Sequence, residues 1–511
     1  MNAAGHSFDH LVVVHYHWRP GGVRRVVELT LPAIVAATPS LKRVTLLSGS
    51  SPHERPEIGP LGLPTAFIQE PACDYFSGQQ DDPQAISRKI RKALSLAIPE
   101  SDSSRTLIWF QNPALARNPI LCREIADFSR MTGAALILHH HDFWCAGRWA
   151  RWNELQRCGC PDLSSAADVL FASGTRSVHV GINLQDFRIL ERFFPERAFH
   201  LANPVDHTPP AREADIDTAR AWAAKELKSD APLWIFPSRF LRRKNFLEAA
   251  LITRWLRPEA ILATTSGQFS PDEANYASDI KDAAKRGGWR VHFGLLDKPG
   301  APRVGNVFCI AEAVVHTSVQ EGFGMGFVEA AAVSTPLIAK SIPSVMPDLS
   351  ALGFDFPQLY DDLHIAPGLF DAVAESGRQA ALADSARNSL PGPFQNLFQP
   401  LRFDASIPIP FSRLTRRGQL EVLSHEVAKS WDMCKALNPC FEKWLHARLS
   451  PTPWPDQPVR SPQRYAEDFL KIASSIPRSP IDHSLNAKHA QMEFAKRALA
   501  PDSIFPIQLE V

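Results

Sequence analysis

A chain of 511 residues with 45% hydrophobic and 21% charged content is an ordinary globular polypeptide, long enough for two to four domains with large cores. A formal net charge of +1 excludes the strong overall field of a nucleic-acid binder, so local patches must carry any anion binding. Eight irregularly spaced cysteines read as reduced thiols, no apolar run approaches a membrane span, and MNAAGHSFDH lacks the regions of a secretory signal. The expectation is a cytoplasmic protein without a nucleic-acid partner.

Residues 11–15, LVVVH, form a β-branched run suited to a buried parallel strand, and YHWRPGGVRRVVELT follows as loop and helix. Gly21 and Gly22 sit at the turn and present backbone N–H groups at a helix start, a candidate anion cradle. Further strands are expected at 44–47, 107–110 and 134–138, alternating with helical segments, which argues a doubly wound parallel sheet. Between them, Ile86, Ile90, Leu94 and Ala97 form an apolar stripe beside Arg88, Lys89, Arg91 and Lys92. This is either a solvated core helix or a peripheral membrane contact near 86–97.

The strand at 134–138 runs into HHHDFWCAGRW, placing His139, His140, His141 and Asp142 at a carboxyl edge where α/β sheets bind ligands. Side chains alternate faces along a strand, so three successive histidines do not ligate one ion readily. Cys145, Cys158 and Cys160 lack paired zinc-knuckle spacing, and no metal site is expected. Residues 174–190 read as a polar, sheet-edge segment. A Pro-rich linker then sets a domain boundary near residue 207. Asp215 and Asp217 open a predicted helix and read as charge complementing its dipole.

The second half starts with a strand at 233–236, the basic loop Arg239, Arg242, Arg243, Lys244, and a helix opened by Asn245. A cationic cluster at a strand-to-helix loop can neutralise a diphosphate. Strands at 260–264, 290–293 and 313–317 follow. The last of these leads into QEGFGMGFVEAAA, in which Gly322, Gly324 and Gly326 permit close backbone approach before a helix whose first amides are unpaired. Glu321 precedes the glycines, and Glu329 lies on the helix with seven residues between the two acids. Such a place suits a diphosphate or a polar sugar.

The EGFGMGFVE wording and its Glu, seven residues, Glu spacing resemble the nucleotide-sugar site of retaining glycosyltransferases of family 4. The resemblance covers roughly residues 8–345. It implies a GT-B architecture, two Rossmann-like α/β domains facing a central cleft: an acceptor-side domain at 1–207 and a nucleotide-sugar domain at 208–390, with LANPVD resembling the turn that closes the first except that Pro204 replaces its glycine. A Pro-rich, helical extension at 391–511 would pack partly on the first domain.

By the same resemblance, Glu321 and the loop amides of Gly322, Phe323, Gly324, Met325 and Gly326 hold the donor sugar, and Glu329 binds the ribose. Arg239 and, five residues on, Lys244 grip the phosphates, and Gly21 and Gly22 lie near the phosphates and the acceptor. His141 of the His-Asp pair lies over the sugar, with His140 as the alternative. The implied reaction is a metal-independent hexosyl transfer with retention, needing no cofactor beyond the nucleoside diphosphate sugar. The acceptor is left open between a saccharide and a lipid-linked one. Two alternatives stand beside it: an inactive binding or scaffold protein of this fold, and a nucleotide-sugar epimerase or sugar-phosphate synthase. The chain departs from the family pattern after residue 339, where SIPSVMPDLSALGF stands in place of a Gly-rich loop with Glu.

Overall fold

Two parallel β-sheets, each wrapped by helices, make up the computed structural model, which describes residues 8–205, 212–267, 273–399, 403–404, 406–456 and 459–510. The expected boundary near residue 207 lies outside the described residues. The chain divides into two units by packing. The first is Met1–Asp206 with Ser389–Phe398 and Val459–Ala500; the second is His207–Asn388 with Gln399–Pro458 and Pro501–Val511.

The first sheet contains β1 (His10–Val14), β2 (Arg43–Ser48), β3 (Thr65–Gln69), β4 (Thr106–Gln111), β5 (Ala135–His140), β6 (Ser177–Gly181) and β7 (Ala198–His200) in the order β3-β2-β1-β4-β5-β6-β7. β1 pairs in parallel with both β2 and β4, so the connections leave to opposite sides at this point. β1, β4 and β6 are buried along their whole length, which is why β1 and β4 read as near-continuous apolar runs. β5 continues through His140, two residues beyond the expected end, because its imidazoles pack inside the unit.

Residues 174–190 depart from expectation. They hold β6, an interior strand between β5 and β7, and the helix Leu184–Phe193. Its polar residues are tolerated because they are partnered: the Arg197 guanidinium donates to the Ser177 carbonyl at 2.6 Å and its hydroxyl at 3.0 Å, and His179 meets His140 at 3.3 Å.

The helix Pro83–Ala97 buries Ile86, Ile90, Ala93, Leu94 and Ala97 against the helix Pro119–Thr132 and strands β2 and β3. Its apolar stripe therefore belongs to the core, while Ser95, Leu96 and most of its charged residues face outward. Among the described residues no helix is long and apolar enough to cross a membrane. All eight cysteines are free thiols.

The second sheet contains β8 (Leu233–Phe236), β9 (Ile261–Thr264), β10 (Val291–His292), β11 (Ala313–His316), β12 (Leu337–Lys340) and β13 (Gln358–Tyr360) in the order β10-β9-β8-β11-β12-β13. Here the connections leave to opposite sides between β8 and β11. The stretch expected as one extension at 391–511 is divided. Helix Pro462–Ser474 buries Tyr465, Phe469 and Ile472 on the helix Gly22–Ala36 of the first unit. Helices Arg416–Ser424, Val427–Cys434 and Pro439–Leu445 put Val422, Leu423, Cys434 and Phe441 into the core of the second. Their apolar faces need a sheet-backed core to cover them, which accounts for the division.

Candidate functional site

In an open α/β sheet the ligand crevice forms at the carboxyl ends of the two strands whose connections diverge, because the loops there splay apart. In the second unit those strands are β8 and β11. The loop after β8 carries the basic run and the loop after β11 carries Glu321, so the strand order brings together two segments remote in sequence.

Three consecutive cations in the turn Arg242–Lys244 take different partners. Arg242 pairs with Glu273 at 3.0 Å, whereas Arg243 binds the Glu321 Oε2 at 3.0 Å and the Gln320 carbonyl at 2.9 Å. Lys244 pairs with Glu321 Oε1. The Glu321 side chain is 9% exposed and that of Lys244 15%, so the pair is largely withdrawn from water. Burial alone would raise the Glu321 carboxyl, but the charges of Lys244 and Arg243 outweigh it and hold it well below the usual carboxylate range. Burial pulls the Lys244 ammonium below its ordinary range, with Glu321 and, further down, Glu329 opposing. His316, at the end of β11, lies 3.6 Å from Glu321 Oε1; burial lowers its imidazole to about 4. It is neutral at neutral pH, leaving two cations around one carboxylate.

The backbone under Lys244 is fixed from two sides. Thr317 Oγ1 donates to the carbonyls of Lys244 at 3.1 Å and Asn245 at 2.9 Å. Asn245 adopts a left-handed conformation with φ 50°, which an Asn tolerates better than most side chains. Its amide donates to the buried Glu248 at 2.6 Å, whose other oxygen accepts from Tyr360 at 2.7 Å.

The glycine loop closes over this cluster. Gly324, φ 85°, caps the helix Met325–Ala332, and a Cβ there would meet Val345 at 2.8 Å. A Cβ on Gly326 would stand 3.0 Å from the His316 ring and 3.3 Å from Pro237, so only glycine lets the helix start this close to both strand ends. Phe323 is buried, Met325 and Glu329 are half-buried, and Gly322 begins the loop beside Glu321. The SIPSV segment that departs from the expected pattern supplies Val345 against Gly324 and a Ser344 hydroxyl that donates to the Glu321 carbonyl at 3.3 Å.

Lys244, Glu321 and the glycine loop thus form one cluster, with Glu329 close enough to act electrostatically on Lys244. Arg239 is exposed in the same loop. The guanidinium bound to Glu321 belongs to Arg243, which stood in the basic run but was not singled out, because the direction of each side chain in a tight turn is set by its partners. His316, Thr317 and Ser344 carried no sequence signal of their own, and Asn245 read only as a helix start.

His141, Gly21 and Gly22 belong to the first unit. There the diverging strands are β1 and β4. His141, just past β5, bonds through Nε2 to Gln111 Oε1 at 2.8 Å, and Asn112 Oδ1 accepts from the backbone N–H of His141 at 3.2 Å and of Asp142 at 2.9 Å. His139 and His141 share one face with rings 4.5 Å apart, while His140 points to the other and stacks on His179. The alternation keeps the three imidazoles from converging, and no group of metal-ligating side chains occurs among the described residues. Burial lowers His141 to about 4 and His140 to about 3. Gly21 and Gly22 are exposed at the start of the helix Gly22–Ala36. Asp215 and Asp217, at the start of the helix Glu213–Leu227, pair with Arg212 and Arg220.

No protein-family model matches the chain. Over 341 residues it is 24% identical to the mannosylglucosyl-3-phosphoglycerate synthase of Petrotoga mobilis; the match covers 63% of this chain, which thereby spans 63% of the length of that relative. Among solved structures it is similar to HepE from Anabaena in complex with UDP-glucose, with a TM-score of 0.48 and 15% identity over 85% of this chain and 98% of that one. It is also similar to a UDP-forming α,α-trehalose-phosphate synthase from Burkholderia xenovorans, with a TM-score of 0.49 and 11% identity over 92% of this chain and 99% of that one.

Proposed function

We propose that the protein is a glycosyltransferase that moves a hexose from a nucleoside diphosphate sugar to an acceptor hydroxyl with retention of configuration and without a metal ion. The observation that carries this reading is the Glu321 carboxylate held by Lys244 and Arg243 beneath the glycine loop at the diverging strands of the second sheet. Two cations around one carboxylate leave a surplus positive charge, and the positive end of the helix Met325–Ala332 adds to it. A leaving diphosphate develops negative charge, and preorganised donors of this kind stabilise it without reorganisation. In this reading Glu321 meets the sugar, Glu329 the ribose, and Arg239 joins Lys244 on the phosphates. The synthase named for the Petrotoga relative supports a reaction that builds a glycoside.

The acceptor side falls to the first unit, where His141 stands at the sheet edge and the exposed Gly21 and Gly22 open a 15-residue helix. A phosphorylated acceptor is a second reading, supported by those exposed amides and by the phosphoglycerate in the relative's name.

The test is a thermal-shift panel of UDP-, GDP- and ADP-sugars, followed by turnover with phosphorylated and unphosphorylated acceptors and assignment of the product anomer by NMR. A donor that raises the melting temperature and a product of retained anomeric configuration are expected. Binding without turnover on any acceptor favours an inactive binding protein; an isomerised donor sugar favours an epimerase.

A further inference from the structure

We infer that residues 501–510 are a strap that positions the Arg243–Glu321 cluster, with Gln508 as its positioning residue. The segment follows the helix Ser484–Ala498 of the first unit, yet it packs with the second. Arg413 anchors its start. The guanidinium donates to the carbonyls of Pro501 at 3.0 Å, Asp502 at 2.7 Å and Ile504, and lies 4.2 Å from the centre of the Phe505 ring. Arg416 anchors its end, with its backbone N–H donating to Glu510 at 2.7 Å and its side chain 3.3 Å from the same carboxylate. Between the anchors Ile507 is fully buried in the core of the unit.

With both ends fixed, the short helix Pro506–Leu509 lies against the turn Arg242–Lys244. Gln508 Nε2 donates to Gln320 Oε1 at 3.0 Å. Gln320 is the residue whose carbonyl holds Arg243 and whose neighbour is Glu321. The strap therefore touches both loops of the site: it backs the basic turn by packing and fixes the Glu321 loop by a side-chain hydrogen bond. Anchors this numerous exceed what a passive surface segment needs, since each arginine is ordered at an entropic cost. They make sense where a downstream side chain must be held in register.

The positioning itself does not depend on the proposed chemistry; only its consequence for ligand affinity rests on that reading. Hydrogen exchange is therefore measured on the full-length chain in the absence of ligand, comparing wild type with Gln508→Ala and the similarly sized Gln508→Met. Neither variant offers a donor or a strong acceptor to the Gln320 amide. Peptides covering 242–248 and 317–326 are expected to exchange about three- to tenfold faster in both, the range of one lost neutral hydrogen bond, with the rest of the unit unchanged. Unchanged exchange in these peptides, wild-type protection in Gln508→Met, or acceleration spread over the whole unit each overturns the inference. If Gln508→Met does not fold, Gln320→Ala removes the same bond from its other end. UDP, GDP and ADP titrations form a second arm, with affinity expected to fall by a similar factor in the variants. A wild-type protein that binds none of the three nucleotides defeats the functional reading, and the exchange result still decides the strap.

Discussion

Lys244 and Glu321 close an ion pair across the crossover between β8 and β11, and each is too buried for water to replace the other. The pair ties the basic turn to the glycine loop, so the charge that would receive a ligand and the charge that orders the loop are the same. Substitutions here should affect stability and chemistry together, in proportions that depend on which charge is removed.

Glu321→Gln keeps the shape and leaves two cations without their carboxylate. Removing one partner of a buried pair costs about 3–5 kcal/mol, read as a shift in the denaturant midpoint, and turnover should fall as well. Glu329→Gln, on a half-buried helix position, should change stability by less than about 1 kcal/mol and instead weaken affinity for nucleoside diphosphates in calorimetry. Unchanged nucleotide affinity in Glu329→Gln together with its loss in Glu321→Gln would show the two assignments to be reversed.

The three cations should separate by burial. Lys244→Ala is expected to slow turnover by about one to two orders of magnitude, the worth of one charge-assisted hydrogen bond in the transition state, and Arg243→Ala to lower both turnover and stability. Arg239 is exposed, so Arg239→Lys should leave the melting temperature within about 2 °C of wild type while not restoring full activity, because a planar guanidinium and an ammonium grip a diphosphate differently. Wild-type turnover in both Lys244→Ala and Arg239→Lys would remove this loop from the reaction.

Turnover should persist in excess chelator, since in the proposed reaction cationic side chains and amides stabilise the leaving diphosphate. The assay compares rates with and without EDTA, then with added magnesium or manganese. Loss in chelator that a metal restores counts against the mechanism.

Acid should destabilise the fold in two steps. His141 and His316, held near 4 by burial, take up protons in the unfolded chain near pH 6.5 but not in the folded one. The unfolded state then binds more protons, so stability falls as pH drops from about 6.5 towards 4, by up to about 1.4 kcal/mol per group for each full pH step. Glu321 has a depressed folded value, so its contribution is present above the unfolded carboxyl range near 4.5 and is lost as pH falls further. Melting temperature against pH should show the first step shrink in His316→Gln and the second in Glu321→Gln.

Gly326→Ala tests the close approach. The added methyl would stand 3.0 Å from the His316 ring and 3.3 Å from Pro237, both at strand ends with little room to move. A loss of about 1–3 kcal/mol is expected, the usual cost of overpacking, with nucleotide affinity falling alongside. An unaltered melting temperature would mean that the helix start can shift freely.

The sequence by itself determined most of the interior strands and marked the two loops that meet at the candidate site, while β3, β6, β7 and β13 went unread. LWIF and AVV read as buried strands because in a sheet covered on both faces most side chains are apolar, and the glycines and the basic run announced themselves because only particular residue types permit tight backbone approach or concentrated charge. What stayed illegible depended on partners distant in the chain. β6 looked polar because Arg197 and His140, which satisfy it, are not its sequence neighbours. The stripe Ile86, Ile90, Leu94 looked the same whether lipid or the helix Pro119–Thr132 covers it. Arg243 rather than any other arginine of the run reaches Glu321, and Gln508 reaches Gln320, because side-chain direction in a turn is decided by the charge and hydrogen-bonding groups that strand order brings opposite it. Local pattern fixes which residues are apolar, flexible or charged; only the order of strands in the sheet decides which of them meet.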